Sequence, residues 1–180
     1  MRYWTCHWQN RYWRDEINPE GKALAASGSN LFSKRCVRPG DFVYIVSIRD
    51  SVLLLGGRMT VGEIVSRPEA VRRRNNQHLF DTEEWVIAER DSGTRLDLHR
   101  ELAPDLTKKL RFVSPKSKPK GLFFVSEMQL DGQTTRGVRE LTAESAELLD
   151  QIIQITDRAA LSTSMNRITW EFLLAPNAGH

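Results

Sequence analysis

Apolar and polar positions along this chain alternate with the period of strands far more often than with the period of helices. Residues 2–6 alternate and are aromatic, which reads as a first strand. Residues 42–48 (Phe-Val-Tyr-Ile-Val-Ser-Ile) are apolar on both faces and rich in β-branched and aromatic side chains, so this run is expected to be a central strand. Residues 52–65 continue as one or two strands, interrupted at Gly56-Gly57 by a bulge or bend. Residues 84–89 form another strand, residues 96–102 alternate in part, and residues 122–125 make a short apolar strand.

Helical signals are fewer. Residues 21–26 read as a brief helical stretch, followed by a loop at Gly28-Ser29-Asn30. Pro68 opens a short helix ending near Arg74, and residues 104–110 make a helical turn. Thr142 is an N-cap, with Glu144 and Glu147 in the first turns and Leu148, Leu149, Ile152 and Ile153 on one face. Beyond residue 161, Ile168, Trp170 and Phe172 alternate, so a late strand followed by a frayed tail is expected. The sum is an α+β chain, mostly β, in which a curved sheet or small barrel carries short helices at its edges. One domain over residues 1–160 with a C-terminal extension over 161–180 accounts for the length.

Composition narrows the function classes. The chain has 180 residues, 40% hydrophobic and 27% charged, with a formal net charge of +3. That balance permits a nucleic-acid partner without requiring one. Cys6 and Cys36 form no CxxC pair and the four histidines are scattered, so neither a zinc site nor a disulfide framework is expected. No stretch reaches the about 20 apolar residues of a membrane helix, and the first residues have no apolar signal core. These features read as a cytoplasmic protein without a membrane partner.

Three ordered segments resemble the EVE branch of the PUA-like superfamily, related to YTH domains. They are residues 3–10 (YWTCHWQN), residues 37–45 (VRPGDFVYI) with residues 57–65 (GRMTVGEIV), and residues 131–133 (DGQ) with residues 139–142 (RELT) and the helix that follows. The resemblance implies a PUA-like twisted, partly closed β-barrel with flanking short helices, and binding of nucleic acid, DNA or RNA, through a methylated or otherwise modified base. The chain departs from the YTH pattern. Phe32 stands in the segment where one cage tryptophan is expected, and residues 67–80 contain no tryptophan for the second. The EVE pattern is therefore the better match.

The candidate chemistry concentrates near the start of the chain. Trp4, Trp8, Tyr12 and Trp13 are interleaved with Arg2, His7, Asn10, Arg11 and Arg14. Base recognition requires flat apolar faces for stacking and a few amides or hydroxyls for the base edge. Trp8 and Trp13 lie in or beside a loop and are the pocket candidates, with Asn10 for the base edge. Trp4 and Trp85, on strands, read as core. The resemblance adds Ser29, Asn30 and Phe32, and Ser47 is a hydroxyl in an otherwise apolar strand that either faces the pocket or bonds to backbone. Two basic segments suit phosphate contacts: Arg72, Arg73 and Arg74, and a Lys-rich loop including Lys116 and Lys118.

No phosphate loop, dinucleotide fingerprint or Gly-x-Ser-x-Gly elbow is present, so no enzyme activity and no cofactor are expected. Two alternatives stay open. One is a protein- or small-ligand-binding module on the same fold. The other is an accessory subunit of a nucleic-acid-modifying or restriction system.

Overall fold

The computed structural model describes residues 1–13, 21–73, 81–115 and 118–173, with side chains described as far as Arg158. Six strands form one open mixed sheet: β1 (Tyr3–His7), β2 (Ala26–Ser29), β3 (Phe42–Arg49), β4 (Val52–Ser66), β5 (Glu84–Ala88) and β6 (Val138–Leu141), in the order β2-β5-β4-β3-β1-β6. Only β1 and β3 run parallel; every other neighbouring pair is antiparallel. The helices are α1 (Arg67–Arg73), α2 (Pro104–Thr107) and α3 (Ala143–Leu173). The chain is thus α+β and mostly β.

The central strand is β3, as its two-sided apolar run predicts. Val43 and Ile45 point to one core, with Trp4, Cys6, Trp8, Trp13, Phe32 and Trp85. Tyr44 and Val46 point to a second, with Leu53, Leu55, Leu102, Leu110, Phe112, Leu149 and Ile153. Burying each large side chain contributes roughly 1.5–3 kcal/mol, so the two-sided strand anchors both cores at once.

The long strand β4 makes the sheet curl. Residues 52–60 pair with β3 and residues 61–66 pair with β5, so the partner changes midway along the strand. The predicted irregularity at Gly56-Gly57 is a bulge: Ile45 faces Gly57 while Val46 faces Leu55, leaving Gly56 without a partner. A Cβ on Gly56 would lie 2.9 Å from the indole of Trp13, so the ring packs directly on the bare backbone. The curl brings β2 back over β1, where the indole N–H of Trp8 donates to Ser27 Oγ at 2.8 Å. Contact between these strands is through side chains, without a ladder.

Thr142 caps α3 as expected, its Oγ1 accepting from the Ser145 N–H at 3.4 Å. The helix is clamped by Asp150, which accepts from the Tyr44 hydroxyl (2.9 Å) and the Arg58 guanidinium (2.8 Å), and by Asp157, which accepts from Arg100 at 2.8 Å.

Several expectations are corrected. The tail forms no late strand: Ile168, Trp170 and Phe172 lie within α3, and α3 is not a short helix. Alternation over only five residues is a weak local signal, and a helix already nucleated adds residues at little cost. Residues 21–26 are not helical; Ala23 bridges Arg95, and Ala26 starts β2. Gly28 and Ser29 belong to that strand rather than to a loop, because β5 supplies a distant partner that local propensity does not report. Residues 122–125 form no strand, only a bridge between Phe124 and Leu130. Residues 96–102 keep their alternation in burial, with Leu96, Leu98, Arg100 and Leu102 inside, but make only isolated bridges. Strand β6 carries no clear signal of its own. Among the described residues, no helix is long and apolar enough to cross a membrane.

Candidate functional site

Beyond the end of β1 the chain enters a single 3-10 turn, Asn10–Tyr12, and this turn forms one wall of a recess of about 700 Å³. His7, Trp8, Gln9, Asn10 and Tyr12 come from this segment. Gly28, Ser29, Asn30 and Leu31 line the recess from the end of β2, with Thr82 beside them. Gly132, Gln133, Arg136 and Gly137 close the far side in the turn before β6.

Hydrogen bonds fix each wall. The Trp8 N–H donates to Val46 O at 2.9 Å, extending the β1–β3 ladder by one residue. The Ser47 hydroxyl donates to Trp8 O at 2.8 Å and has Asn10 Oδ1 at 3.1 Å, which orients the amide. On the second wall, Asn30 Oδ1 accepts from the Glu83 N–H at 2.7 Å, and Ser29 Oγ accepts from the Leu31 N–H at 3.3 Å. The far wall joins the first where the His7 N–H donates to Gly137 O at 3.0 Å. Gly137 has φ +78°, a left-handed backbone conformation that favours glycine, and a Cβ there would meet only the end of the Leu31 side chain, at 2.8 Å.

The lining is neutral apart from one guanidinium. It offers the rings of His7, Trp8 and Tyr12, the amides of Gln9, Asn10, Asn30 and Gln133, and the hydroxyls of Ser29 and Thr82. Arg136 is the cation, and among the described residues no Asp, Glu, Lys or Cys lines the recess. Burial, reinforced by the charge of Arg136, lowers the pKa of His7 below its ordinary value, so the imidazole is neutral at pH 7. Behind the wall, burial pushes the Cys6 thiol up to about 11 against a smaller opposing effect of its Ser27 hydrogen bond. Cys6 is therefore a protonated packing group and not a thiolate nucleophile.

Of the residues singled out by sequence, Trp8, Asn10, Ser29 and Asn30 meet at the recess. Three do not line it. Ser47 is fully buried behind Asn10 and acts on the wall through its hydrogen bonds. Trp13 is turned inward by the 3-10 turn, donating its indole N–H to Leu98 O at 2.6 Å and packing edge-on to Trp8 at 6.0 Å. Phe32 is wholly buried in the core. The expected aromatic enclosure of Trp8, Trp13 and Phe32 therefore does not form; Trp8 alone reaches the wall, only 2% exposed. Tyr12, half-buried beneath the Arg11 guanidinium at 4.6 Å, is the accessible ring beside it.

Of the expected phosphate contacts, Arg72, Arg73 and Lys118 do not line the recess. Arg72 pairs with Glu69, and Arg73 with Glu63 and Glu69. Lys118 is exposed in its loop. Arg74 and Lys116 lie outside the described residues. Residues missed by sequence reasoning include His7, Tyr12, Gln133 and Arg136. Tyr12 sits inside the aromatic cluster and was within reach of that signal; Gln133 lies in the DGQ turn that carried the resemblance without being singled out, and Arg136 just after it gives no signal of its own. No family model matches the chain, and no curated protein matches its sequence.

Proposed function

We propose that this protein is a nucleic-acid-binding module that takes a single base, modified by methylation or a similar small group, into the recess beside Trp8. The observation that carries this reading is the composition of the lining. Among the described residues, rings, four primary amides and two hydroxyls, and no carboxylate, surround a concave space, which matches the stacking faces and the donor and acceptor groups a flipped or single-stranded base requires. General acid–base or metal-assisted catalysis calls for ionisable groups converging on one point. Among the described residues the lining holds only a neutral imidazole and a guanidinium, which favours recognition over turnover. Curling of β2 over β1, with β4 shared between two partners, supports the PUA-like barrel as the scaffold.

Tyr12→Ala and Asn10→Ala test this reading. Measured by fluorescence anisotropy on short single-stranded oligonucleotides with and without base methylation, Tyr12→Ala is expected to weaken binding of both by about 1–3 kcal/mol through lost stacking. Asn10→Ala is expected to reduce the preference between the two. Wild-type affinity in both variants rejects the recess as a base site.

A further inference from the structure

We infer that the phosphate flanking the bound base is held by Arg136, at the wall of the recess itself, and not by the arginines of α1. This inference rests on the base-site reading above. Two observations about charge separate the candidates. Around α1, the three guanidiniums of Arg67, Arg72 and Arg73 face the carboxylates of Asp81, Glu69 and Glu63, so the surface is locally balanced and presents little net field to a polyanion.

Around the recess the arrangement is opposite. Arg136 is exposed at the cavity wall, and among the described residues no carboxylate pairs with it. Two further guanidiniums are likewise without a carboxylate partner among the described residues. Arg139 donates to Thr134 O in the same turn and lies 3.8 Å from the centre of the Phe112 ring. Arg35 is in the turn that starts at Leu31, a lining residue, and its N–H donates to Leu31 O at 2.9 Å. The charge of Arg35 reaches Arg139, and that of Arg136 reaches His7, each lowering its neighbour's pKa as the second cause after burial. Such unneutralised cations raise the local concentration of an anion and strengthen its contacts.

Size agrees with charge. A recess of about 700 Å³ lies within the roughly 300–1,000 Å³ of sites that enclose a whole small molecule. A base alone fills a small part of that volume, which leaves room for its own sugar and phosphate. The guanidinium of Arg136 then supplies the planar pair of N–H donors that suits phosphate oxygens.

The test is the salt dependence of binding to random-sequence single-stranded DNA and RNA pools. Loss of one phosphate contact from a single strand flattens the slope of log K against log salt by about 0.7. Arg136→Gln is expected to show that change, with affinity lowered roughly tenfold or more. Arg136→Lys keeps the charge and is expected to keep most of the slope. The double variant Arg72→Gln/Arg73→Gln is expected to shift the slope by less than Arg136→Gln does. Arg136 is exposed, so thermal melting of its variants stays at the wild-type value. An unchanged slope for Arg136→Gln, or a larger change in the α1 double variant, overturns this inference and leaves the base site standing. A wild-type protein that binds neither pool overturns both.

Discussion

The two faces of the sheet are packed with different material. Below the recess the core is built on indoles, and three of them are aimed by a hydrogen bond. Trp4 donates to Asp41 at 3.0 Å, Trp8 to Ser27 at 2.8 Å and Trp13 to Leu98 O at 2.6 Å. Ser47 and Ser27 are completely buried within the same layer. Beneath α3 the second core is chiefly aliphatic, with Leu53, Leu55, Leu102, Leu110, Leu149 and Ile153 packed without such directional bonds among them. Non-directional apolar packing closes space, because every void forfeits contacts. A hollow persists only where its walls are held by groups that cannot turn inward without losing a buried partner. The indole layer places such groups at the recess, whereas beneath α3 the buried Tyr44 hydroxyl is bonded to the helix itself, at Ala146 O and Asp150.

The largest test of this contrast removes bulk from the aliphatic side. Leu149→Ala is expected to cost about 2–5 kcal/mol by chemical denaturation while leaving oligonucleotide affinity of the folded protein unchanged. A parallel loss of affinity would show that the two layers are not independent. On the indole side Ser47→Ala is expected to cost less, about 1–3 kcal/mol, because it leaves Trp8 O without its donor. It should also weaken base discrimination, since Asn10 loses its guide. Stability loss with unaltered discrimination would confine Ser47 to the core.

The smallest expected effect is a pH dependence from His7. Its folded pKa lies below the unfolded value of 6.5, with burial the first cause and Arg136 the second. The unfolded chain therefore binds a proton more readily. Stability is full above pH 6.5 and declines as pH falls from there to the lowered folded value. His7→Gln is expected to flatten that part of the stability profile, read from melting temperatures between pH 7 and pH 5. A profile identical to wild type assigns the acid sensitivity to other groups.

Much of the framework was legible in the sequence because its causes are local. The two-sided apolar run of β3, the glycine pair that becomes the β4 bulge and the Thr142 cap each express a backbone preference over a few residues. The aromatic cluster correctly marked the region of the recess. It did not reveal which ring faces outward: Trp8, Tyr12 and Trp13 are separated by a 3-10 turn whose sense of rotation sets one ring beside the cavity and buries another. The basic run at Arg72 and Arg73 was visible as charge, with Glu69 one turn earlier on the same helix, but the second partner of Arg73, Glu63, lies on another element, and pairing cancels what composition displays.

By itself the sequence determined that this is a mostly β chain with a doubly buried central strand, a capped closing helix and a dense aromatic opening. The tertiary structure alone decided where the hollow lies and what lines it. A recess is the space between elements, bounded here by β1, by the end of β2 and by the turn before β6, and these are far apart along the chain. Propensity and periodicity report how each segment prefers to run. The gap left where three segments meet depends on how the whole sheet curls, and no short stretch of residues encodes that curl.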